Sequence, residues 1–376
     1  MKQSEISLFK QKKFSSFKKV KIKRDKKKQE YNNSNKVCNL KITLFLLMIS
    51  LLIIIIIQFF IIYNFYRKNK NNKANVDEKN INSRKYDINF DYLNYDKEII
   101  TSKIIRDSGW LLGLDEARFI NGIIRKNKLK NCLEIGVANG GSAILILNSI
   151  KDIENSILVS LDLNKEIFND PNKLVGYRVN KYFPELSKNW KLYTGDQPHK
   201  FLVDLNIKFD FLFLDSTHAS PGEILNFIEA LPFLNENAIV LIHDLYWHFG
   251  RVINAKFFPS CITLIPALYG DKVFIYKNKE QVSNMGAVFL YPNQKEHYID
   301  YFLLLLNFWE YIPKDNQIKD LRSFIIKFYK DNIYINTFDK AVMENKKVHE
   351  KFKKYMNNFE EKKYLVSLGT KWNNTN

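Results

Sequence analysis

The chain is poor in cysteine. Cys38, Cys132 and Cys261 are scattered through 376 positions, an odd number with no C-x-x-C pair. That excludes a disulfide-built scaffold and a zinc ribbon. Acidic residues are also short, 40 against 58 basic, for a net charge of +18. The shortage is local. Residues 1–41 hold fourteen basic and three acidic side chains, so eleven of the eighteen excess charges sit there. The rest is spread without a dominant block. Asn, Lys and Ile are abundant in the manner of an A/T-rich coding bias, which weakens the Lys excess as a sign of nucleic-acid binding. No internal repeat is present. The G-x-G-x-x-G fingerprint of a dinucleotide fold is missing too, because position 138 is Ala138.

What is present begins with a polar, Lys-rich stretch from Met1 to Lys41, without apolar periodicity, which predicts a disordered basic tail. Ile42 to Tyr63 then carries no charge. As a helix it spans about 30 Å, enough for a bilayer. It starts too late, runs too long and lacks a small-residue cleavage site, so it predicts a retained single-pass anchor rather than a cleaved signal. Residues 64–98, polar and Asn-rich, are expected to be a tether. Residues 99–295 are expected to form the main folded domain and residues 296–376 a C-terminal helical extension.

The domain is organised around residues 131–162. Cys132 to Gly136 is a short apolar run, read as a buried strand. Val137 to Ser142 is a small, flexible loop, and Ala143 to Leu147 is apolar on all sides, as in a helix buried on a sheet. Ile157 to Leu161 is a second apolar run, ending in Asp162. This strand, glycine loop, helix, strand, acid order is one βαβ crossover. Glycines admit a ligand close to the backbone, the helix start offers free N–H groups, and an acid ending the second strand can accept both ribose hydroxyls. The unit reads as a nucleoside site. Phe119, Ile120, Ile123 and Ile124 predict a helix before it.

Further strands are expected at Trp190–Tyr193, Phe209–Asp215 and Ala238–Ile242, with an edge hairpin from Val273–Tyr276 and Ala287–Leu290. Ser220-Pro221-Gly222-Glu223 has the spacing of a helix start, with Ser as the cap. Helices are expected over Tyr301–Trp309, Leu321–Tyr329 and Lys340–Tyr364.

Ligands in open α/β sheets bind at the carboxyl ends of the strands. Glu134, Asp162, Asp196, Asp215, His243 and Asp244 all fall there. Four of six histidines, His199, His218, His243 and His248, lie between positions 199 and 248. Two carboxylates and an imidazole on adjacent strand ends suit Mg²⁺ or Mn²⁺. His218, three residues beyond Asp215, stands where it could take a proton from a bound hydroxyl. Each has a plainer reading: Asp215 and Asp196 as loop caps, His218 as a surface residue, His243 as a packed side chain. Tyr246 and Trp247 could wall an acceptor pocket or simply pack.

The pattern Glu134-x-Gly136-x-x-x-Gly140-Gly141-Ser142 resembles the first motif of class I S-adenosylmethionine (SAM)-dependent methyltransferases. The resemblance covers about residues 110–290. It implies a Rossmann-like α/β fold, a mainly parallel sheet with an antiparallel edge hairpin and helices on both faces. It also implies SAM as cofactor, held by Glu134, Gly136, Asn139, Gly140, Ser142, Asp162, Asp196 and Gln197. Asp215-x-x-His218 and His243-Asp244 resemble the metal-dependent O-methyltransferases of that class, notably those acting on sugar hydroxyls. That implies Asp215, Asp244 and His243 as ligands of a divalent cation and His218 as base. His243 stands where that group has Glu. The Asp-Asn pair of catechol-type enzymes is absent, since Leu245 follows Asp244.

The expected function is therefore a membrane-anchored SAM-dependent methyltransferase acting on a hydroxyl of a small-molecule, glycan or glycolipid acceptor. Two alternatives stand beside it: a non-catalytic SAM-binding protein and a nucleic-acid methyltransferase. Against the first, the key acids are intact. Against the second, the basic charge lies on the other side of the apolar run and no Asn-Pro-Pro-aromatic motif is present. The charge difference across the run puts the N-terminus in the cytoplasm. SAM is made in the cytosol, which argues for keeping the catalytic domain on that side, so the two arguments conflict.

Overall fold

The computed structural model describes residues 86–109, 113–167, 170–245, 260–275 and 284–357. The basic tail, the apolar run 42–63 and most of the expected tether lie outside them, as do Tyr246, Trp247 and His248. Among the described residues no helix is long and apolar enough to cross a membrane.

Two helices, α1 (Ser102–Ser108) and α2 (Leu114–Asn127), precede the first strand. The crossover follows as β1 (Asn131–Ile135), α3 (Gly141–Ile150) and β2 (Ile157–Asp162). All ten residues of α3 are buried, which is why it shows no polar face. A small antiparallel ribbon, β3 (Glu166–Ile167) and β4 (Asp170–Leu174), leads into α4 (Tyr177–Tyr182). The polar stretch after Asp162 gave no sign of this ribbon, because four of the five β4 residues are exposed and carry no alternation.

The remaining sheet is β5 (Trp190–Thr194), β6 (Phe209–Leu214), β7 (Leu234–Ile242), β8 (Gly270–Phe274) and β9 (Gly286–Leu290). Between them lie α5 (Pro198–Leu205), α6 (Gly222–Ala230) and α7 (Ser260–Ala267). Seven strands run in the order β5-β2-β1-β6-β7-β9-β8. The first five pair in parallel, and β9 is antiparallel to both β7 and β8. The sheet is thus Rossmann-like, mainly parallel with an antiparallel edge. Parallel strands buried on both faces read as continuous apolar runs, as Phe209–Leu214 does.

Alternate residues of each strand face opposite layers. Cys132, Leu158, Phe211 and Leu241 pack with Ile120, Ile124 and Ile144 from α2 and α3. Leu133, Val159, Leu212 and Val240 pack with the helices of the other face. That face includes α8 (Tyr298–Leu303), α9 (Asp315–Tyr329) and α10 (Asn332–Asn357). Tyr301, Phe302, Trp309 and Phe338 are fully buried in the same core as β6 and β7. The C-terminal helices are part of the domain's packing, not an appendage.

Two expectations need correction. The tether does not extend to residue 98: Tyr92 is buried and stacks on Phe289 at 5.8 Å, with Tyr86 against the same ring at 5.5 Å. Tyr92 is buried and Tyr86, Phe90 and Tyr95 half-buried, a pattern hidden by the polar residues between them. Ser220 does not cap α6. Pro221 is the residue before the helix, and Glu223 accepts from the amide of His218 instead of turning back to a cap.

Because Phe302 joins the extension to the sheet, Phe302→Ala is expected to cost about 3–5 kcal/mol. Urea unfolding should remain a single transition followed by both far-ultraviolet ellipticity and Trp fluorescence. A separate early transition for the helices would show the extension to be an independent unit.

Candidate active site

Strand pairing sets the site. Gly136 N donates to Leu161 O at 2.9 Å and Gly195 N to Asp162 O at 3.0 Å, so the ends of β1, β2 and β5 lie side by side. On the other flank Asp215 N donates to Ile135 O at 3.0 Å and His243 N to Leu214 O at 3.1 Å. Every residue expected at the site between 134 and 244 therefore lies in or beside one edge of the sheet.

The glycine loop is shaped by two needs. Gly136 has φ +93°, and a Cβ there would stand 1.9 Å from the carbonyl oxygen of Asp215. Gly140 has φ +92° and its Cβ would press on Gly176. Both demand glycine. Asp162 holds the loop: one carboxylate oxygen accepts from the amides of Val137 at 3.0 Å and Ala138 at 3.1 Å, the other from Asn164 N at 2.9 Å. Asn139 caps the next turn through Gly141 N and donates to Gly109 O.

Glu134 is placed differently from its expected role. It is fully buried on the α2–α3 face, accepting from Ser142 Oγ and Ser160 Oγ at 2.5 Å each. Trp190 Nε1 donates to the same Ser160 hydroxyl at 2.8 Å. Glu134 and Ser142 thus lie beneath the loop and tie β1 to α3 and β2. The place of Glu134 in the alternation of β1, opposite to Leu133 and Ile135, could have indicated this. Asp196 is exposed and accepts from the next amide, Gln197 N, at 2.8 Å, while Gln197 itself is buried at the start of α5.

The second half of the site gathers Asp215, His218 and Asp244, whose ligand atoms all lie within 4.8 Å of one another. His218 Nε2 is 3.5 Å from Asp215 Oδ1 and 3.5 Å from Asp244 Oδ2. His218 and Asp244 both adopt left-handed backbone, φ +53° and +58°. His243, expected as the third ligand, has another place. It is 3% exposed, with Nδ1 3.3 Å from Asp215 Oδ1 and 3.4 Å from Asp244 Oδ1, and Nε2 3.7 Å from Glu116 Oε1. Burial opposes charge on His243, but Asp215, Glu116 and Asp244 outweigh it and hold the imidazole well above its ordinary pKa. Its ring nitrogens face carboxylates on both sides, an arrangement that favours the charged form. Burial likewise opposes charge on Glu116, yet His243, Gly113 N–H and Asn284 bring its pKa below the usual range.

Sequence reading missed Glu116, Glu223 and Asn284. Asn284 Nδ2 bridges Glu116 Oε1 at 3.1 Å and Asp244 Oδ1 at 3.2 Å. Glu116 had only the signature of a helix start, since its Oε2 accepts from Gly113 N. Asn284 lies two residues before β9 and carried no signal. His199 pairs with buried Glu229 at 2.6 Å, away from this cluster.

Residues 133–245 match a protein-family model described as a methyltransferase domain. The match spans less than half of the chain, and the strand order and the glycine loop accord with it. No match was found among curated proteins. Among solved structures the chain is similar to the O-methyltransferase TomG of Streptomyces achromogenes, involved in tomaymycin synthesis, in complex with SAM. Identity is 13% and TM-score 0.39, over 51% of this chain and 90% of that one. It is also similar to an O-methyltransferase of Bacillus cereus in complex with SAH, at 16% identity and TM-score 0.38, over 57% and 96%. A third is the SAH-bound Podospora anserina methyltransferase PaMTH1, at 15% and 0.38, over 56% and 100%.

Burial drives the Glu134 carboxyl up to about 7, against its two serine bonds. Its folded pKa exceeds the unfolded value, so its favourable contribution is full below about pH 4.5 and is lost as pH rises through about 7. Glu134→Gln keeps the shape without the charge. Between pH 5 and 8 the wild type should lose about 2–3 kcal/mol relative to the variant. Thermal unfolding of both across that range checks it; parallel curves would mean that Glu134 does not titrate there.

Proposed function

We propose that the protein transfers the SAM methyl group to a hydroxyl oxygen of a polar acceptor, a small molecule, glycan or glycolipid. The observation that carries this is the convergence of Asp215, His218 and Asp244 within 4.8 Å, beside the glycine loop. Two carboxylates and an imidazole are a donor set for Mg²⁺ or Mn²⁺. The surrounding carboxylates, Glu116 and Glu223 among them, favour a cation there. When bound, such a cation would lower the pKa of a coordinated hydroxyl and so make it a nucleophile near neutral pH.

In this reading Asp215, Asp244 and His218 Nε2 are the ligands. His218 gives up the base role expected of it, because a ligating nitrogen cannot also accept a proton. His243 stays protonated between Glu116 and the two aspartates and orients their carboxylates. On the donor side, Asp162 keeps the glycine loop in place and carries the SAM ribose, with Gly136, Asn139 and Gly140 forming the floor. Glu134 and Ser142 support that floor from beneath, and Asp196 and Gln197 flank the adenine. The reaction needs donor carbon and acceptor oxygen in line, and most of the rate comes from holding them so.

The apolar run 42–63 acts as a single-pass anchor, with residues 1–41 as a cytoplasmic tail. Protease protection on sealed membranes decides which side carries the domain. Loss of the tail alone to cytoplasmic protease places the domain across the membrane, and loss of the domain alone reverses the orientation.

Labelled SAM offered with membrane lipid, glycan and RNA fractions tests the activity. Label should enter lipid or glycan, and chelation should abolish transfer while SAM binding persists. Transfer that survives thorough chelation would leave the aspartates structural, and label in RNA alone would replace the acceptor class.

Asp162→Ala is expected to weaken SAM binding by about 1–3 kcal/mol, measured by calorimetric titration. Unchanged affinity in the folded variant would remove Asp162 from the donor site.

A further inference from the structure

We infer that Glu223 is the positioning residue that decides which nitrogen of His218 faces the cation site. The inference rests on the reading of Asp215, His218 and Asp244 as that site. Glu223 is 1% exposed, in the first turn of α6. Its Oε1 accepts the backbone N–H of His218 at 2.5 Å and lies 3.7 Å from Nδ1 of the same ring. The other ring nitrogen, Nε2, is the one 3.5 Å from both aspartates. The ring therefore stands between a buried carboxylate on its Nδ1 side and the ligand pair on its Nε2 side.

The backbone around it is fixed by other contacts. The amides of Glu310 and Tyr311 donate to Ser220 O at 2.8 and 3.4 Å, and the Tyr311 hydroxyl is hydrogen-bonded to the Thr217 side chain. Residues from beyond the family match thus brace the loop on its far side. His218 itself sits at φ +53°, a conformation that non-glycine residues adopt only when their surroundings hold them there. Glu223 does so through the amide. With a cation taken up by Asp215 and Asp244, the carboxylate remaining on the Nδ1 side, at 3.7 Å, favours the tautomer with its proton on Nδ1. That leaves the Nε2 lone pair directed between Asp215 and Asp244. Carboxylates behind ligating histidines commonly act so, and their loss weakens metal binding about 10–100-fold.

The test uses the full-length chain, with Mn²⁺ alone as the probe, followed by its electron paramagnetic resonance signal. Glu223→Gln should weaken Mn²⁺ binding about tenfold or more, with SAM affinity unchanged as a check on folding. In a His218→Ala background the same substitution should change it by less than about twofold, since the two act as one unit. Equal losses in both backgrounds, or no loss in the folded single variant, would overturn the inference. Should the variant not fold, isotope-labelled histidine in the wild-type chain gives the answer. In the chain loaded with diamagnetic Mg²⁺, His218 should carry its proton on Nδ1, and a proton fixed on Nε2 overturns the assignment. A wild-type chain that binds no Mn²⁺ would instead sink the cation-site reading itself.

Discussion

The missing side chain at Gly136 is the constraint on which the site depends. A Cβ there would lie 1.9 Å from the Asp215 carbonyl oxygen. Backbone of the donor loop and backbone of the aspartate loop are therefore in direct contact, with nothing between them. The floor under the methyl donor and the carboxylate at the end of β6 are two sides of one wall. That contact fixes the distance between the two halves more firmly than any side-chain bond could, because backbone cannot change rotamer.

Around this wall the site balances charge with its own residues. Glu116, Asp215, Glu223 and Asp244 would repel one another in so small a volume. His243 stands among three of them, which favours its charged form, and Asn284 bridges Glu116 to Asp244. The elements contributing these groups are α2, the loops after β6 and β7, α6 and the segment before β9. The cluster thus depends on the register of the whole sheet rather than on one loop.

The fold was legible where apolar runs and strand length agree, as in Cys132–Ile135, Ile157–Leu161 and Phe209–Leu214. Those strands are buried on both faces, so hydrophobicity alone marks them. Asp162 and Asp215 were legible because an acid that ends such a run has few structural reasons to be there. Glu134 was found, but its partners were not: it is buried in the α2–α3 layer and bonded to Ser142 and Ser160. Glu116 and Asn284 escaped because they reach the site from positions more than a hundred residues away on one side and forty on the other. The β3–β4 ribbon escaped because its residues are too exposed to alternate. Which nitrogens of His218 and His243 face the aspartates depends on ring orientation, which spacing does not encode.

The burial of Phe302, Phe338 and Ala341 against the face carrying Leu133 and Val240 has a consequence for the order of synthesis. The first strand of the sheet leaves the ribosome about 200 residues before its last covering helix exists. At about 5–20 residues per second that is an interval of about 10–40 s. During it, α5, α6 and α7 cover that face first, and the core they begin is closed only when Tyr301, Phe302 and Phe338 arrive.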